Sequence, residues 1–194
     1  ARWGRVMEST GEDPYLNQLY ARAFVRGYQG KDLAMDKLRV AACIKHFAGY
    51  GAPIAGREYN TVELSKRTLR EMYLPAYQAG IEEGSKMVMT SFNSLDGVPA
   101  TANKPLMRDI LRKELGFEGV LISDWASVGE MIPHGIAENL KEAGGLAITA
   151  GVDIEGLTGA DLNHLNELID EGEIDEELIN EAVWRILTLK NDLG

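Results

Sequence analysis

The run of residues 120–125, Val-Leu-Ile-Ser-Asp-Trp, places a carboxylate and an indole at the end of an apolar stretch. A strand that is buried on both faces has this continuous apolar character. A carboxylate at its carboxyl end would lie where barrel and open-sheet enzymes place their chemistry. Asp124 could there act as a nucleophile, a base or a metal ligand, and Trp125 offers a flat apolar face to a sugar or other ring. The alternative is that Asp124 caps a following helix, since Asp is favoured at that position.

Polar residues also follow the other apolar runs of the chain. They are Lys45 and His46, Ser91 and Asn93, and Asp153 and Glu155. Because the carboxyl ends of parallel strands meet at one edge of a sheet, we expect these side chains to converge with Asp124. Individually, Lys45 and His46 are also compatible with a surface lysine beside a core histidine, and Asp153 with a helix cap or a brace. Convergence therefore favours a site more strongly than any single residue does.

Helical and strand patterns alternate along the chain. The predicted helices are 12–29, a helix after Thr61 that Pro75 disturbs, 104–115, 137–144, 158–171 and 175–190. The predicted strands are 40–44, 87–92, 120–125 and 146–153. Such alternation, without a run of hairpins, indicates an α/β fold with a parallel sheet and flanking helices.

Four strands are half of the eight that close a (β/α)₈ barrel, which usually needs about 250 residues. The chain is therefore either a small open α/β sheet or a portion of a TIM-type barrel. The opening residues 1–5 read like the interior of a longer protein. This favours the barrel portion, with 1–194 as roughly its second half and the first barrel strands absent.

Composition narrows the classes of partner. The 194 residues include 30 acidic and 20 basic side chains, a net charge of −10, and no basic cluster, which argues against nucleic acid. No apolar run reaches the ~18–20 residues that a membrane span needs. Cys43 has no partner cysteine, and no metal-ligand spacing or phosphate loop is present, so no cofactor or metal is expected. Localisation is undetermined by the sequence; one cysteine and an acidic chain fit a cytoplasm.

A series of motifs runs through the chain in order. They are Arg2-Trp3-Gly4-Arg5, Gly11-Glu12-Asp13-Pro14, Lys45-His46-Phe47-Ala48-Gly49-Tyr50-Gly51, Arg57-Glu58-Tyr59-Asn60, Met89 to Pro99, Gly116 to Trp125, and Glu181 to Leu187. Together they resemble the catalytic-barrel domain of family 3 glycoside hydrolases, the β-glucosidase and β-xylosidase group. The resemblance covers nearly the whole chain.

This resemblance implies a role for each matching residue. Asp124 would be the nucleophile that forms a glycosyl-enzyme intermediate. Hydroxyls of the sugar would be bound by Arg5, Lys45 and His46, and Trp125 would form an apolar wall for the aglycone or next sugar. Phe92 takes the place of an aromatic residue near the nucleophile, which is Tyr in some relatives and could then bond to Asp124. The remaining two, Glu8 and Arg57, would support the site.

Retention of configuration requires a second carboxyl group roughly 5–5.5 Å from the first. The resemblance implies that a domain following the barrel supplies it in the β-glucosidase branch, so we expect it outside this chain. The N-acetylglucosaminidase branch instead uses an Asp–His pair on a barrel loop. The loop from Gly49 to Asn60 contains no His, which disfavours that branch.

The expected substrate is therefore a β-linked glucoside or a short oligosaccharide. Two alternatives remain at the level of sequence. One is a catalytically inactive half-barrel scaffold that dimerises or complements a partner chain, because open strand edges and apolar faces favour association. The other is an unrelated lyase or aldolase in which Lys45 forms a Schiff base with a carbonyl substrate.

Overall fold

Three parallel strands form the centre of the protein. The computed structural model describes residues 2–194, apart from the side chain of Leu162. The strands are β1 (Cys43–Phe47), β2 (Met87–Thr90) and β5 (Val120–Ile122), in the sheet order β1-β2-β5. Met87 is in register with Cys43 on one side and Val120 on the other. The predicted parallel sheet is confirmed, and its carboxyl edge carries the residues that follow each strand.

Helices cover this sheet. They are α1 (Pro14–Gln29), α2 (Lys66–Thr68), α3 (Pro75–Glu82), α4 (Leu140–Ala150), α5 (Ala160–Asp170) and α6 (Glu176–Asp192), with π-helical segments at Leu69–Tyr73 and Pro105–Glu114. Val88, Val120 and Leu121 are fully buried between the layers, as expected of strands covered on both faces. The alternation of strand and helix is that of a portion of an α/β barrel.

Local signals account for several helix boundaries. The Asp13 carboxylate accepts hydrogen bonds from the backbone N–H groups of Tyr15 and Leu16, which begins α1 at Pro14. The Asp175 carboxylate caps α6 in the same way, through the N–H of Glu177. The helix after Thr61 is disturbed where Pro75 was expected to disturb it, since a π-helical turn precedes that residue and α3 begins there.

The predicted strand at 146–153 is wrong. Residues 146–150 belong to α4, which the Asn139 side chain caps at its start and Gly151, with a φ of +101°, ends, and residues 151–153 follow the helix without forming a strand. After α4, Ile154 forms an isolated parallel bridge to Ile122, and the Asp153 N–H donates to the Leu121 carbonyl oxygen at 2.8 Å. A short apolar run does not by itself distinguish a buried helix from a strand, and the alanines of this run favour a helix. The buried positions Ala143, Ala147 and Ala150 have helical spacing.

A small hairpin lies beyond the end of β2. Its strands, β3 (Ser94–Leu95) and β4 (Val98–Pro99), pair antiparallel. Asp96 and Gly97 form the connection with φ values of +53° and +81°, the backbone conformation that Asp-Gly turns adopt. The sequence indicates the turn here but not the hairpin. Val62 also pairs with Leu95, so the hairpin holds the long loop after β1 over the sheet edge.

Among the described helices, none has the length and apolar character that a membrane crossing requires.

Candidate active site

Asp124 lies directly beyond β5, at the carboxyl edge of the sheet. Its Oδ1 accepts a hydrogen bond of 2.6 Å from the backbone N–H of Trp125. Its Oδ2 is buried, has no hydrogen-bond partner in the described part of the chain, and lies 3.4 Å from Nε2 of His46. The following residues form turns, so Asp124 begins no α-helix and the capping alternative is not supported.

The environment of Asp124 acts on its ionisation in two directions. Burial raises the pKa of the carboxyl group above its usual range, because it penalises the charged form. The Trp125 N–H and the positive charges of Lys45 and Arg5 oppose that rise. One oxygen of the carboxyl group is thus desolvated, while the neighbouring N–H donor and cations favour the charged form.

His46 faces Asp124 from the end of β1. The imidazole is buried, and its Nε2 lies 3.5 Å from Nη2 of Arg5. Burial, with smaller contributions from the charges of Lys45 and Arg5, lowers the pKa of His46 to about 4. The ring is therefore neutral at pH 7 and can donate one hydrogen bond and accept one. The Tyr77 hydroxyl donates to the His46 carbonyl oxygen at 2.6 Å, which fixes the backbone beneath the ring.

Arg5 reaches this edge from the loop before α1. Its Nε and Nη2 each donate to the Glu8 carboxylate at 2.6 Å, a bidentate pair that orients the guanidinium plane. The guanidinium carbon also lies 5.6 Å from the Trp3 ring and 5.4 Å from the Tyr50 ring. Glu8 and Arg5 thus lie together beside His46, whereas the Lys45 side chain, one residue earlier in β1, is exposed.

Glu58 is a site residue that sequence reasoning did not select. Its carboxylate accepts a hydrogen bond of 2.6 Å from Nε1 of Trp3 and another from the Tyr50 hydroxyl, and it lies 3.9 Å from Nη1 of Arg5. The neighbouring Arg57, a predicted supporting residue, is exposed, and its side chain makes no hydrogen bond or ion pair within residues 2–194. Arg57 has an extended backbone and Glu58 begins a turn, and the Glu58 side chain faces Trp3, Tyr50 and Arg5. The motif Arg57-Glu58 marks this position in the sequence, but it does not indicate which of the two side chains faces the site.

Aromatic rings form the floor and the margin of the site. Phe92 is buried, with Tyr59 edge-on at 4.5 Å between ring centroids and Tyr50 at 5.9 Å. Trp125 instead projects into solvent and is 71% exposed. Phe92 therefore supports the site through packing, while the Trp125 indole is free to cover a ligand.

The other residues predicted at this edge of the sheet differ in their placement. Ser91 donates from its hydroxyl to the Phe47 carbonyl oxygen, and Asn93 is buried beside it, so both hold the ends of β1 and β2 together. Asp153 does not join the rim: its carboxylate accepts from the N–H of Leu121 and from two arginines. This placement agrees with the alternative of a bracing residue. In the part of the chain that the structure describes, no three His, Cys, Asp or Glu side chains are grouped to hold a metal.

Fold and site together define a class: a portion of an α/β barrel whose carboxyl edge combines a desolvated carboxylate, a neutral imidazole, two cations and an exposed indole. The family model for the glycosyl hydrolase family 3 N-terminal domain matches residues 1–189. The chain therefore belongs to glycosyl hydrolase family 3.

Individual relatives agree with this assignment. The chain is 40% identical over 193 residues to a periplasmic β-glucosidase of Salmonella typhimurium, and 41% identical over 204 residues to a β-xylosidase of Formosa agariphila. It covers all of its own length in both alignments but 25% and 28% of theirs. The crystal structure of a β-glucosidase from Listeria innocua superposes on the whole chain with a TM-score of 0.97 and 57% identity, over 27% of that structure. The chain thus spans about a quarter of the length of these relatives.

Proposed function

We propose that this chain is the nucleophile-bearing part of a retaining β-glucosidase-type hydrolase, with Asp124 as the nucleophile. The observation that carries the proposal is the buried Oδ2 of Asp124, which has no hydrogen-bond partner in the described structure and faces the His46 imidazole at 3.4 Å. An oxygen in that state is available to form a new bond. Its position at the carboxyl edge of a parallel sheet is where barrel enzymes bind substrate.

The proposed reaction has two displacements. Asp124 Oδ2 attacks the anomeric carbon while the bond to the leaving oxygen breaks, and that oxygen takes a proton from a second carboxyl group. Water then attacks the anomeric carbon of the glycosyl ester, gives a proton to the same second group, and releases the sugar and the free Asp124 carboxylate. The transition states carry positive charge at the ring, which the adjacent carboxylate stabilises.

The surrounding groups suit a polyhydroxylated ligand. Neutral His46 can donate to one hydroxyl and accept from another, whereas Arg5 and Lys45 can only donate. Glu8 and Glu58 hold Arg5 and the rings beneath it in place. Trp125 supplies the apolar face against which the aglycone or next sugar packs. Arg57 stays a prediction, because its described contacts do not link it to these groups.

The proposed substrate is a β-linked glucoside or a short oligosaccharide. The Listeria innocua β-glucosidase has been solved in complex with glucose and with isofagomine, and an Asp-to-Ala mutant of it in complex with laminaribiose. Because relatives include β-xylosidases, a β-xyloside is the competing substrate to assay beside it.

We further propose that the second carboxyl group and the remaining barrel strands come from polypeptide outside residues 1–194, because the described sheet has three barrel strands. A non-catalytic association module is not favoured, since the family match and the unpaired Asp124 oxygen both point to catalysis.

The test is covalent trapping with a 2-deoxy-2-fluoro-β-glucoside that carries a good leaving group, on the complete polypeptide that contains this chain. We expect wild type to gain one fluoroglucosyl mass, with the ester mapped to Asp124, and Asp124→Ala to gain none. Asp109→Ala removes an exposed carboxylate paired with Lys113 and is the matched control, which should label like wild type. An adduct that persists in Asp124→Ala, or that maps elsewhere, would overturn the proposal.

A further inference from the structure

The segment after α4 is built against the backbone of Asp124. Ile154 pairs with Ile122, and the Ser123 N–H donates to the Ile154 carbonyl oxygen at 2.9 Å. On the other side of Asp124, the Ala126 N–H donates to the Gly156 carbonyl oxygen at 2.7 Å. Two backbone hydrogen bonds from one short segment therefore bracket Asp124 in the chain.

A third link reaches Asp124 itself. The Gly156 N–H donates to Oγ of Ser123 at 2.8 Å, and that hydroxyl donates to the Asp124 carbonyl oxygen at 3.1 Å. A Cβ at position 156 would lie 3.2 Å from the same carbonyl oxygen, so the close approach suits glycine. The direction of the Asp124 side chain thus depends on the position of the backbone at Gly156.

Glu155 holds that backbone in place. Its Oε1 accepts from the N–H groups of Thr158 at 2.5 Å and Gly159 at 3.1 Å, and its Oε2 accepts from the N–H of Asp161 at 3.3 Å. Leu157 and Gly159 both have positive φ, at +75° and +72°. A leucine adopts that conformation only when its surroundings enforce it, and one carboxylate binding three N–H groups does so.

We propose that Glu155 is a positioning residue for Asp124. It shapes the loop of residues 155–159, and the loop sets the backbone of residues 123–126 from which the Asp124 carboxylate projects. The proposal rests on the nucleophilic role of Asp124 and assigns Glu155 no contact with substrate.

The test measures inactivation of the complete polypeptide by the 2-deoxy-2-fluoro-β-glucoside, separated into the rate constant kinact and the binding constant Ki. We expect Glu155→Ala to lower kinact by about 10–100-fold, since a small misplacement of a reacting group costs that much, while Ki stays within about twofold. Glu155→Gln keeps an oxygen that can accept from Thr158 and Gly159, so it should retain kinact within about threefold of wild type.

A purely structural role would lower the melting temperature and leave kinact per folded molecule unchanged, which would overturn the proposal. Asp175→Ala is the matched control, because it removes a carboxylate that caps α6 without a link to Asp124. If Glu155→Ala does not fold, Glu155→Asp withdraws the carboxylate by one methylene, and wild-type kinact in that folded variant would equally overturn it. Labelling that survives Asp124→Ala would refute the proposed nucleophile, whereas loss of labelling there with normal kinact in Glu155→Ala would refute only this inference.

Discussion

Asp153 and Asp124 both lie beside β5, but their buried carboxylates differ in how many hydrogen bonds they accept. The Asp153 side chain is 1% exposed, and its oxygens accept from Arg185 at 2.9 Å, Arg112 at 2.8 Å and the Leu121 N–H at 2.8 Å. The Asp124 side chain is 13% exposed and accepts one hydrogen bond, with Oδ2 unpaired. The protein therefore saturates one carboxylate to hold the strand and leaves the other unsatisfied at the end of the same strand.

This difference separates a carboxylate that joins elements of the fold from the carboxylate proposed to react. Arg112 lies on the π-helical segment before β5 and Arg185 on α6, so Asp153 joins three parts of the fold. An unpaired oxygen on Asp124 instead costs stability, because a buried polar group without a partner has lost its hydration. Functional sites commonly keep such local costs, which the rest of the fold offsets.

The largest expected effect is a loss of stability when the fully hydrogen-bonded carboxylate of Asp153 is removed. We expect Asp153→Ala to lower the free energy of unfolding by about 3–5 kcal/mol, because the largely buried Arg112 loses its anion and Arg185 keeps only its pair with Glu181. Urea denaturation of the complete polypeptide measures this. Asp192→Ala, which removes a partly exposed ion pair with Lys86, is the control and should cost less than about 1 kcal/mol. An equally small loss of unfolding free energy for Asp153→Ala would contradict the proposed difference between Asp153 and Asp124.

Neutralising Asp124, whose Oδ2 is unpaired, should change the free energy of unfolding in the opposite direction. We expect Asp124→Asn to raise the free energy of unfolding by about 1 kcal/mol at pH 7, since the neutral amide is cheaper to bury. Burial raises the Asp124 pKa in the folded state. The gain should therefore be present above that raised pKa and disappear as the pH falls through it, where wild type is also neutral. Asp153→Asn should destabilise instead, and equal signs for the two variants would contradict the contrast.

A smaller effect should appear in the pH profile of catalysis. The Lys45 charge lowers the Asp124 pKa, so Lys45→Met should raise it and move the acid limb of kcat/KM upward by about 0.5–1 pH unit. Lys45→Arg keeps the charge and should leave the limb within about 0.3 unit of wild type. An unchanged acid limb in Lys45→Met would show that Lys45 does not act on Asp124 through its charge.

Local signals were sufficient for much of the fold. The caps at Asp13 and Asp175, the disturbance at Pro75 and the apolar runs of the three barrel strands follow from interactions within a few residues. The error at 146–153 arose because an apolar run that is buried on all sides has the same pattern in either secondary structure. In the structure, the Asn139 cap and the packing of α4 against α5 stabilise the helix at residues 146–150.

The sequence placed several candidate residues at the correct edge of the sheet, but not their arrangement there. Asp124, His46 and Phe92 lie at the expected edge, and Arg5 and Glu8 lie together beside them. The inward turn of Glu58 in place of Arg57 depends on Trp3, 55 residues away in sequence. The roles of these residues stay predictions that the labelling and pH experiments address.

By itself, the sequence determined the family, the three parallel strands with most of their flanking helices, and the side chains at the ends of those strands. These follow from periodicity, capping and motif order, all of which are written in neighbouring residues. Only the tertiary structure decided which carboxylate is saturated and which oxygen stays unpaired, that His46 is neutral, and that Glu155 shapes the loop beside Asp124. Burial and hydrogen bonding set these properties, and both depend on groups that folding brings together from distant parts of the chain.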